Sequence, residues 1–280
     1  MPVFANRAQF AQNQVRLKQI IASEKSEDAA ALAANQPAPK HHWHPQEESW
    51  LPAGLYNGMI APETPYTIKG VIWYQGETDS APERAPLYHL LFPALIEDWR
   101  AQWNQGNFPF LFVQISSFYS PEENWGEVRD AQRRTLSVAG TAMAVSFDFG
   151  TKNNVHPPDK QSVAARLALA ARATVYGKNV EYSGPLYRQT TTEGSALRVW
   201  FDHAEGLKSK GTKVESFEIA GPDHHFVPAD AQIEGNTVVV SSTAIKNPRY
   251  VRYGWDSFTT ANLYNQNDLP ASTFTSEPIN

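Results

Sequence analysis

The chain has 280 residues, of which 41% are hydrophobic and 19% are charged, and its formal net charge is −5 at pH 7. This composition is typical of a folded protein and excludes a disordered one, and the length allows two domains. Because there is no basic block and no cysteine, we expect no nucleic-acid partner, no disulfide, no Cys-ligated zinc site and no thiol nucleophile.

Two further patterns are missing from the sequence. No run approaches the roughly 20 apolar residues of a membrane-spanning helix, so we expect no membrane partner. The first ten residues lack the charged-then-apolar order of a signal peptide. The sequence leaves the compartment undetermined.

Residues 1–50 are predicted to form a peripheral segment of helix and loop. The stretch from Ala5 to Ala34 is rich in Ala, Gln and Glu and favours a helix, and a proline-punctuated loop follows it. His41, His42 and His44 in this loop are of a residue type that binds zinc. No acidic or further histidine partner stands at helical or strand spacing, so we expect a solvated loop without metal.

Residues 51–182 alternate between strand and helix patterns. Strands are predicted at about 68–75, 110–115 and 142–149, with helices at about 84–104, from about 125, and at about 158–176. Gly106 and Gly177 stand where the first and third of these helices are expected to end. Strands that are apolar throughout indicate a parallel sheet covered by helices on both faces.

The carboxyl ends of such strands meet at one edge of the sheet. We therefore expect three loops to lie together there: Gln75-Gly76-Glu77, Ser116 to Tyr119, and Asp148 to His156. Ligands of open α/β sheets bind in the crevice outside the carboxyl ends of the strands, so this edge is the predicted site.

Residues 183–280 are predicted to form a small all-β domain, a sandwich, because the apolar period changes to two after Ser183. Strands are expected at 197–201, 214–219 and 237–241. Gly235-Asn236 favours a tight hairpin turn, since both residues tolerate a positive φ.

His156 is the candidate general base. It follows a strand, precedes a helix and stands beside two prolines, which suits an imidazole that must be held within about 3 Å of the proton it takes. Asn153 and Asn154 are the candidates to orient the ring, and Asp148 is the nearest upstream carboxylate. An uncharged Asn in that role implies a dyad-like site or an acid from elsewhere in the fold.

Gln75 and its neighbours are the candidate oxyanion and substrate-binding residues. The carboxamide of Gln75 can donate to a developing oxyanion, a contribution of about 3–4 kcal/mol per donor. Glu77 fits three roles: binding a sugar hydroxyl, holding the loop, or serving as the acid of a triad; we favour the loop role.

No serine in the sequence has the surroundings of a nucleophile. Gly-x-Ser-x-Gly, Gly-Asp-Ser and Gly-Gln-Ser are all missing. Ser116, Ser117, Ser146 and Ser183 lack the glycine elbow that would expose a hydroxyl at the end of a strand, and Ser80 follows its strand too loosely to be the nucleophile.

Several long motifs resemble the sialate O-acetylesterase family of the SGNH hydrolase superfamily. The motifs are Leu55-Tyr-Asn-Gly-Met-Ile-Ala-Pro62, Ile68-Lys-Gly-Val-Ile-Trp-Tyr-Gln-Gly-Glu77, Phe92-Pro-x-Leu-Ile-x-Asp-Trp-Arg100, Val155-His-Pro-Pro-x-Lys160, Arg166-Leu-Ala-Leu169, Val251-Arg-Tyr-Gly-Trp255 and Asn262-Leu-Tyr-Asn265. The resemblance implies a flavodoxin-like fold and a serine esterase that needs neither metal nor cofactor, with His156 as catalytic histidine and Gln75 in the oxyanion hole.

The family's serine block and its second, glycine-bearing block are both missing from the sequence. By resemblance, the chain is the C-terminal part of such an esterase, with an α/β domain incomplete at its N-terminus. Its partners would be an O-acetylated sugar and a missing N-terminal segment that carries the serine.

Two other readings stay open. One is a non-catalytic carbohydrate-binding protein, which the many aromatic residues and the absent serine favour. The other is an esterase of the acetyl-xylan type, because no residue of the sequence selects a particular sugar.

Overall fold

The structure, a computed structural model, describes residues 7–42, 44, 51 and 53–279. The chain divides into two compact units, residues 1–67 and residues 68–280. The domain boundaries predicted at residues 50 and 183 remain predictions. Within the described part of the chain, no helix is both long and apolar enough to cross a membrane.

The first unit contains one long helix, α1 (Arg7–Ala33), as the composition of this stretch predicts. The helix ends because Asn35 adopts a left-handed conformation, with φ of 55°, from which the next amide donates back to the carbonyl of Ala31. A short π-helix (Tyr56–Ile60) and a 3₁₀ turn (Ala61–Glu63) follow later in this unit.

Two of the three histidines after α1, His41 and His44, have acidic partners that are distant in sequence. His41 Nε2 lies 2.9 Å from Asp28 Oδ1, and His44 Nε2 lies 2.8 Å from Glu24 Oε2. The hydrogen bond to Asp28 is the main reason that the pKa of His41 is raised above its ordinary value. These carboxylates stand 13 and 20 residues away in sequence, where spacing gives no signal. Among the described residues no group of three or more such side chains is arranged to hold a metal ion.

The second unit begins with a three-stranded parallel sheet in the order β1-β2-β3, which confirms the predicted alternation of strands and helices. The elements are β1 (Val71–Trp73), α2 (Ala85–Trp103), β2 (Phe110–Gln114), α3 (Trp125–Arg134), β3 (Thr141–Val145) and α4 (Lys160–Thr174). The strand β3 is shorter than predicted because residues 147–149 form a 3₁₀ turn.

The helices cover both faces of this sheet. Phe92 of α2 packs against Phe112 at a ring distance of 5.0 Å. Leu111, the neighbour of Phe112 on β2, packs instead with Ala170 and Leu167 of α4. Successive residues of a strand point to opposite faces, so α2 and α4 lie on opposite sides of the sheet.

The helix α2 does not end at Gly106 as the sequence suggests. It is Asn104, with φ of 50°, that adopts the left-handed C-cap conformation and bonds back to Arg100. Asparagine is a common alternative to glycine at this position, and the structure uses it here. Gly177 does take up a left-handed conformation, with φ of 62°, after α4.

Residues 186–275 form two separate four-stranded antiparallel sheets, in the orders β4-β5-β10-β9 and β13-β11-β7-β8, and a two-stranded pair of β6 and β12. The strands are β4 (Leu186–Glu193), β5 (Ala196–Asp202), β6 (Lys208–Ser209), β7 (Phe217–Ala220), β8 (Val227–Pro228), β9 (Asp230–Glu234), β10 (Thr237–Ser241), β11 (Tyr250–Tyr253), β12 (Leu263–Tyr264) and β13 (Phe274–Thr275). The hairpin between β9 and β10 is confirmed, with Gly235 at φ of 61°. The strand predicted at 214–219 is displaced to 217–220.

The aromatic ring of Phe274 connects the two four-stranded sheets. It lies 4.6 Å from the ring of Tyr187 and 5.8 Å from that of Phe201, both in the first sheet. In its own sheet it contacts Phe217 and Tyr253. Offset and edge-to-face pairs of this kind add to the stabilisation from burial alone.

Candidate functional site

The predicted site lies at the carboxyl edge of the parallel sheet. Trp73 of β1 pairs with Phe112 of β2, and Val113 of β2 pairs with Ala144 of β3, all in parallel register. The loops that follow the three strands therefore leave the same edge. We call these loops, residues 75–80, 116–119 and 148–156, the rim.

The carboxamide of Gln75 is held from two sides. Its Oε1 accepts a hydrogen bond from the hydroxyl of Tyr88 at 3.2 Å, and its Nε2 donates to Asp79 Oδ2 at 2.5 Å. Its backbone carbonyl accepts from Tyr88 and from Gln132 Nε2. An amide nitrogen has two hydrogens. Within the described part of the chain, the second hydrogen of Gln75 Nε2 has no partner and can donate to a ligand.

Gly76 has a backbone conformation and a tightly packed position that both disfavour a side chain. Its φ is 148°, and a Cβ built on it would lie 3.0 Å from both Gln132 Nε2 and Ile115 Cγ2. Ile115 and Gln132 are themselves joined, because the amide of Ile115 donates to Gln132 Oε1. The turn after β1 is therefore packed directly against the start of the loop after β2.

We expect Gly76→Ala to destabilise the protein by about 2–4 kcal/mol, the sum of an unfavourable φ and an overpacked contact. Denaturant unfolding measures this loss. Gly177→Ala is the matched control, since Gly177 also has a positive φ but no atom within 4 Å of the added Cβ. It should cost about 1 kcal/mol. Equal losses in the two variants would show that packing around Gly76 contributes nothing.

Glu77 begins the 3₁₀ turn Glu77–Ser80 and is partly buried. Burial raises the pKa of its carboxyl group, and hydrogen bonds from the backbone together with the charges of His156 and Lys160 partly offset that rise. Glu77 is therefore a carboxylate on the first loop of the rim, at the same edge of the sheet as the loop that carries His156.

His156 is exposed, and its loop is shaped by local hydrogen bonds. Its backbone amide donates to Asn154 Oδ1 at 2.9 Å, and the amide of Asn154 donates to the hydroxyl of Thr151 at 3.2 Å. In the described structure the imidazole ring itself has no hydrogen-bond partner. The ring is free to bond a substrate or another segment.

The candidates for orienting His156 differ in what they contact. Asn154 uses its side-chain oxygen on the backbone of His156, and Asn153 is exposed with no hydrogen bond among the described residues. Asp148 is occupied by Arg166, whose two terminal nitrogens each lie 2.7 Å from one of its oxygens. A bidentate pair of this kind leaves Asp148 committed to α4 rather than to the imidazole.

The serines near the sheet do not present a hydroxyl to solvent. All five that the sequence raises are buried: Ser80, Ser116, Ser117, Ser146 and Ser183. Ser146 donates to the carbonyl of Gln114, and Ser183 donates to that of Gly184. These hydroxyls are not accessible to a substrate.

Sequence reasoning missed the residues that position Gln75. Asp79 follows Gln75 by four residues, and this short spacing was the signal that could have identified Asp79 as a partner of Gln75. Tyr88 and Gln132 lie on α2 and α3, at sequence separations of 13 and 57 residues from Gln75, and no local pattern singles them out.

Arg129 of α3 is a further residue that the sequence did not identify. Its side chain is fully buried, and its guanidinium donates to five backbone carbonyls: those of Ile115, Ser116, Gly254, Asp256 and Ser257. Burial lowers the pKa of Arg129 to about 9, so the group still carries its charge at neutral pH. Arg129 thus ties the loop after β2 to the loop after β11.

The comparisons with known proteins agree on one family. Residues 39–173 match the family described as carbohydrate esterase, sialic acid-specific acetylesterase. The sialate O-acetylesterase of Mus musculus is 34% identical over 232 residues, which cover 73% of this chain and 42% of that protein. The sialate O-acetylesterase of Rattus norvegicus is 33% identical over 254 residues, covering 79% of this chain and 46% of that protein.

A solved structure agrees with these matches. The crystal structure of a novel carbohydrate acetylesterase from Xanthomonas citri is 38% identical and superposes with a TM-score of 0.77. It covers 83% of this chain, which spans 58% of that protein. The chain therefore spans less than half the length of the curated relatives given above and somewhat more than half of this neighbour.

Proposed function

Because this chain belongs to the carbohydrate esterase family of sialic acid-specific acetylesterases, we propose that it is part of a serine esterase that removes acetyl groups from sugar hydroxyls. Its α/β part would have the flavodoxin-like fold of the SGNH hydrolases, and residues 183–280 would form a β-sandwich. Sialate is the substrate in the names of the mouse and rat relatives, and we propose an acetylated sugar of this or a related kind.

The nucleophile would come from a segment outside residues 1–280. Two features of β1 support this part of the proposal. Among the described residues the strand pairs with β2 alone, and Ile72 at its centre is 72% exposed. An apolar strand at an open edge is suited to pair with another strand. A segment that added a strand there would end at the rim, where a serine could reach His156.

His156 would act as the general base and then as the general acid. It would take the proton of the serine hydroxyl as that oxygen attacks the acetyl carbonyl, and give it to the departing sugar oxygen. Water would then release acetate by the same exchange of protons. The free imidazole ring on the rim supports this role.

Gln75 would stabilise the oxyanion that forms during each attack. Its carboxamide is fixed by Tyr88 and Asp79 before any substrate arrives, and one amide hydrogen is left to donate. Donors that are oriented in advance contribute most to the transition state, because they need no reorganisation. The backbone amides of Gly76 and Glu77 stand next to it in the same turn.

Glu77 is the acid that we propose for stabilising the imidazolium form of His156. Its place on a loop at the same edge of the sheet supports the role, and the pairing of Asp148 with Arg166 argues against the nearest alternative. Asn153 and Asn154 would then shape the loop that carries His156. In this arrangement the site has a charged third member, although it comes from the first loop of the rim.

One observation carries the proposal. The two family-like motifs that contain Gln75 and His156 follow β1 and β3 of one parallel sheet, so both leave its carboxyl edge.

The proposal is tested by assaying 4-nitrophenyl acetate hydrolysis by the chain alone and by the chain joined to the part of the Xanthomonas citri enzyme that it does not cover. We expect almost no turnover from residues 1–280 alone, because loss of the nucleophile costs on the order of 10⁶-fold in kcat in a serine protease. The joined protein should hydrolyse the ester. Brisk turnover by the chain alone that is abolished by changing one of its own serines would contradict the supplied nucleophile.

A further inference from the structure

A cleft of about 360 Å³ lies beside the rim and has no role in the chemistry described above. Its walls include Tyr119, Glu123, Arg252, Trp255 and Asp256, and we call it the Tyr119 cleft. The volume falls within the range of small-molecule sites. Aromatic rings beside carboxylates are suited to a ligand with apolar faces and hydroxyl groups.

The Tyr119 cleft is attached to the first loop of the rim. The hydroxyl oxygen of Ser80 lies 2.6 Å from the carbonyl of Glu77 and 3.0 Å from Glu123 Oε2, and its one hydrogen is within reach of both acceptors. The amide of Asn124, another residue of the cleft, donates to the carbonyl of Ser80 at 2.7 Å. The turn that holds Glu77 therefore forms one connected structure with a wall of the cleft.

The cleft also adjoins the loop that carries His156. Phe258 lines the cleft, and the ammonium of Lys152 lies 5.4 Å from the centre of its ring. Lys152 stands four residues before His156. Through Phe258, the cleft is therefore in contact with the segment that leads to His156.

The charged groups of the cleft favour hydroxyl groups over an anion. Glu123 uses Oε2 for Ser80 and for Trp125 Nε1, which leaves Oε1 to accept a hydrogen bond from a ligand. Among the described residues, nothing is hydrogen-bonded to the carboxylate of Asp256, and burial together with the charge of Glu218 raises its pKa above the ordinary value.

Among the described residues that line the cleft, Arg252 is the one cation. Its charge is already balanced by an ion pair with Glu218. Its guanidinium donates to both oxygens of Glu218, at 2.7 and 3.2 Å. The guanidinium carbon, Cζ, also lies 4.2 Å from the ring centre of Phe226 and 5.3 Å from the ring centre of Trp255. A planar guanidinium that is paired and stacked in this way has little capacity left to bind a ligand carboxylate.

We propose that the Tyr119 cleft binds the uncharged sugar ring that carries the acetyl group, with Tyr119 against a face of the ring and with Glu123 and Asp256 accepting from its hydroxyls. This inference rests on the proposed function and makes it more specific. An acidic sugar such as sialic acid would place its carboxylate near two carboxylates and is disfavoured in the cleft.

The test measures binding to the full chain by isothermal titration calorimetry, with acetylated xylotriose as the neutral probe and 9-O-acetylated N-acetylneuraminic acid as the anionic probe. We expect the neutral probe to bind more tightly and Tyr119→Ala to weaken its binding about tenfold, through loss of stacking on the ring. Tyr176→Ala is the matched control: the two tyrosines are 59% and 61% exposed, and Tyr176 lies outside the cleft. The control should leave the affinity unchanged.

A second variant tests the charge argument without removing packing. Asp256→Asn should improve binding of the anionic probe relative to the neutral one by several-fold, because one of the two opposing carboxylates is removed. Tighter binding of the anionic probe to the unchanged protein would overturn the inference, as would equal affinities in the two tyrosine variants.

These results are separable from those on the proposed function. Binding of the neutral probe that is lost in Tyr119→Ala, together with a joined protein that shows no turnover, would support the cleft and overturn the esterase. Turnover by the joined protein, together with equal binding of the neutral probe by both tyrosine variants, would support the esterase and overturn the inference about the cleft.

Discussion

Replacing His156 by alanine in the joined, active protein is expected to lower kcat for acetyl ester hydrolysis by about 10⁴-fold or more. Without the imidazole, no group in the proposed site takes the proton of the attacking hydroxyl. The exposed position of His156 means that the fold should be unaffected, so the loss would be chemical. KM should change little, because the ring makes its contribution in the transition state.

The matched control for this variant is His225→Ala, which removes another exposed histidine of the second unit. It should leave kcat unchanged. Adding free imidazole to the His156→Ala protein offers an independent check, since a small base that enters the vacated space should restore part of the rate. A decrease of less than tenfold in kcat would rule out His156 as the base.

Replacing Arg129 by alanine is expected to destabilise the protein by at least about 3–5 kcal/mol. The substitution leaves five backbone carbonyls without their buried donor, and each unsatisfied group costs about 1–3 kcal/mol before the structure relaxes. In a unit of this size such a loss lowers Tm by roughly 10 °C or more. Urea unfolding followed by circular dichroism measures the free energy of unfolding, and a thermal scan followed by the same signal measures Tm.

Two comparisons show whether the loss comes from this network. Arg188→Ala removes a half-exposed arginine whose pair with Asp202 is 3.5 Å long, and it should change stability by no more than about 0.5 kcal/mol. Arg129→Lys keeps the charge but lacks the planar fork, so it should recover only part of the stability. A loss below 1 kcal/mol in Arg129→Ala would show that the five bonds are replaced by water.

The α/β part shows how far the sequence could be interpreted. The strands β1 and β2 and the helices α2 and α4 were predictable because each is a local pattern of apolar residues with turn residues at its ends. Errors fall at the ends of elements, where Asn104 rather than Gly106 caps α2 and where a 3₁₀ turn shortens β3. The end of a helix depends on which residue adopts the left-handed conformation, and the spacing of apolar residues does not indicate which one does.

The antiparallel part was less predictable. The strands β5 and β10 have strong alternation and were found, whereas β4 and β11 were missed. The exposed strand β4 is rich in Thr and polar residues, so its sequence carries no apolar period. Its place in the sheet is set by pairing with β5, which is a property of the partner as much as of β4 itself.

The sequence by itself determined the order of strands and helices, the edge of the sheet at which Gln75 and His156 stand, and the absence of a serine elbow among its motifs. Each of these follows from short-range patterns. Only the tertiary structure decided which groups meet across long separations. It paired Asp148 with Arg166, fixed the carboxamide of Gln75 through Tyr88, and joined two loops through Arg129. Such contacts depend on how helices and loops pack after the chain has folded, and a single sequence carries no spacing rule for them.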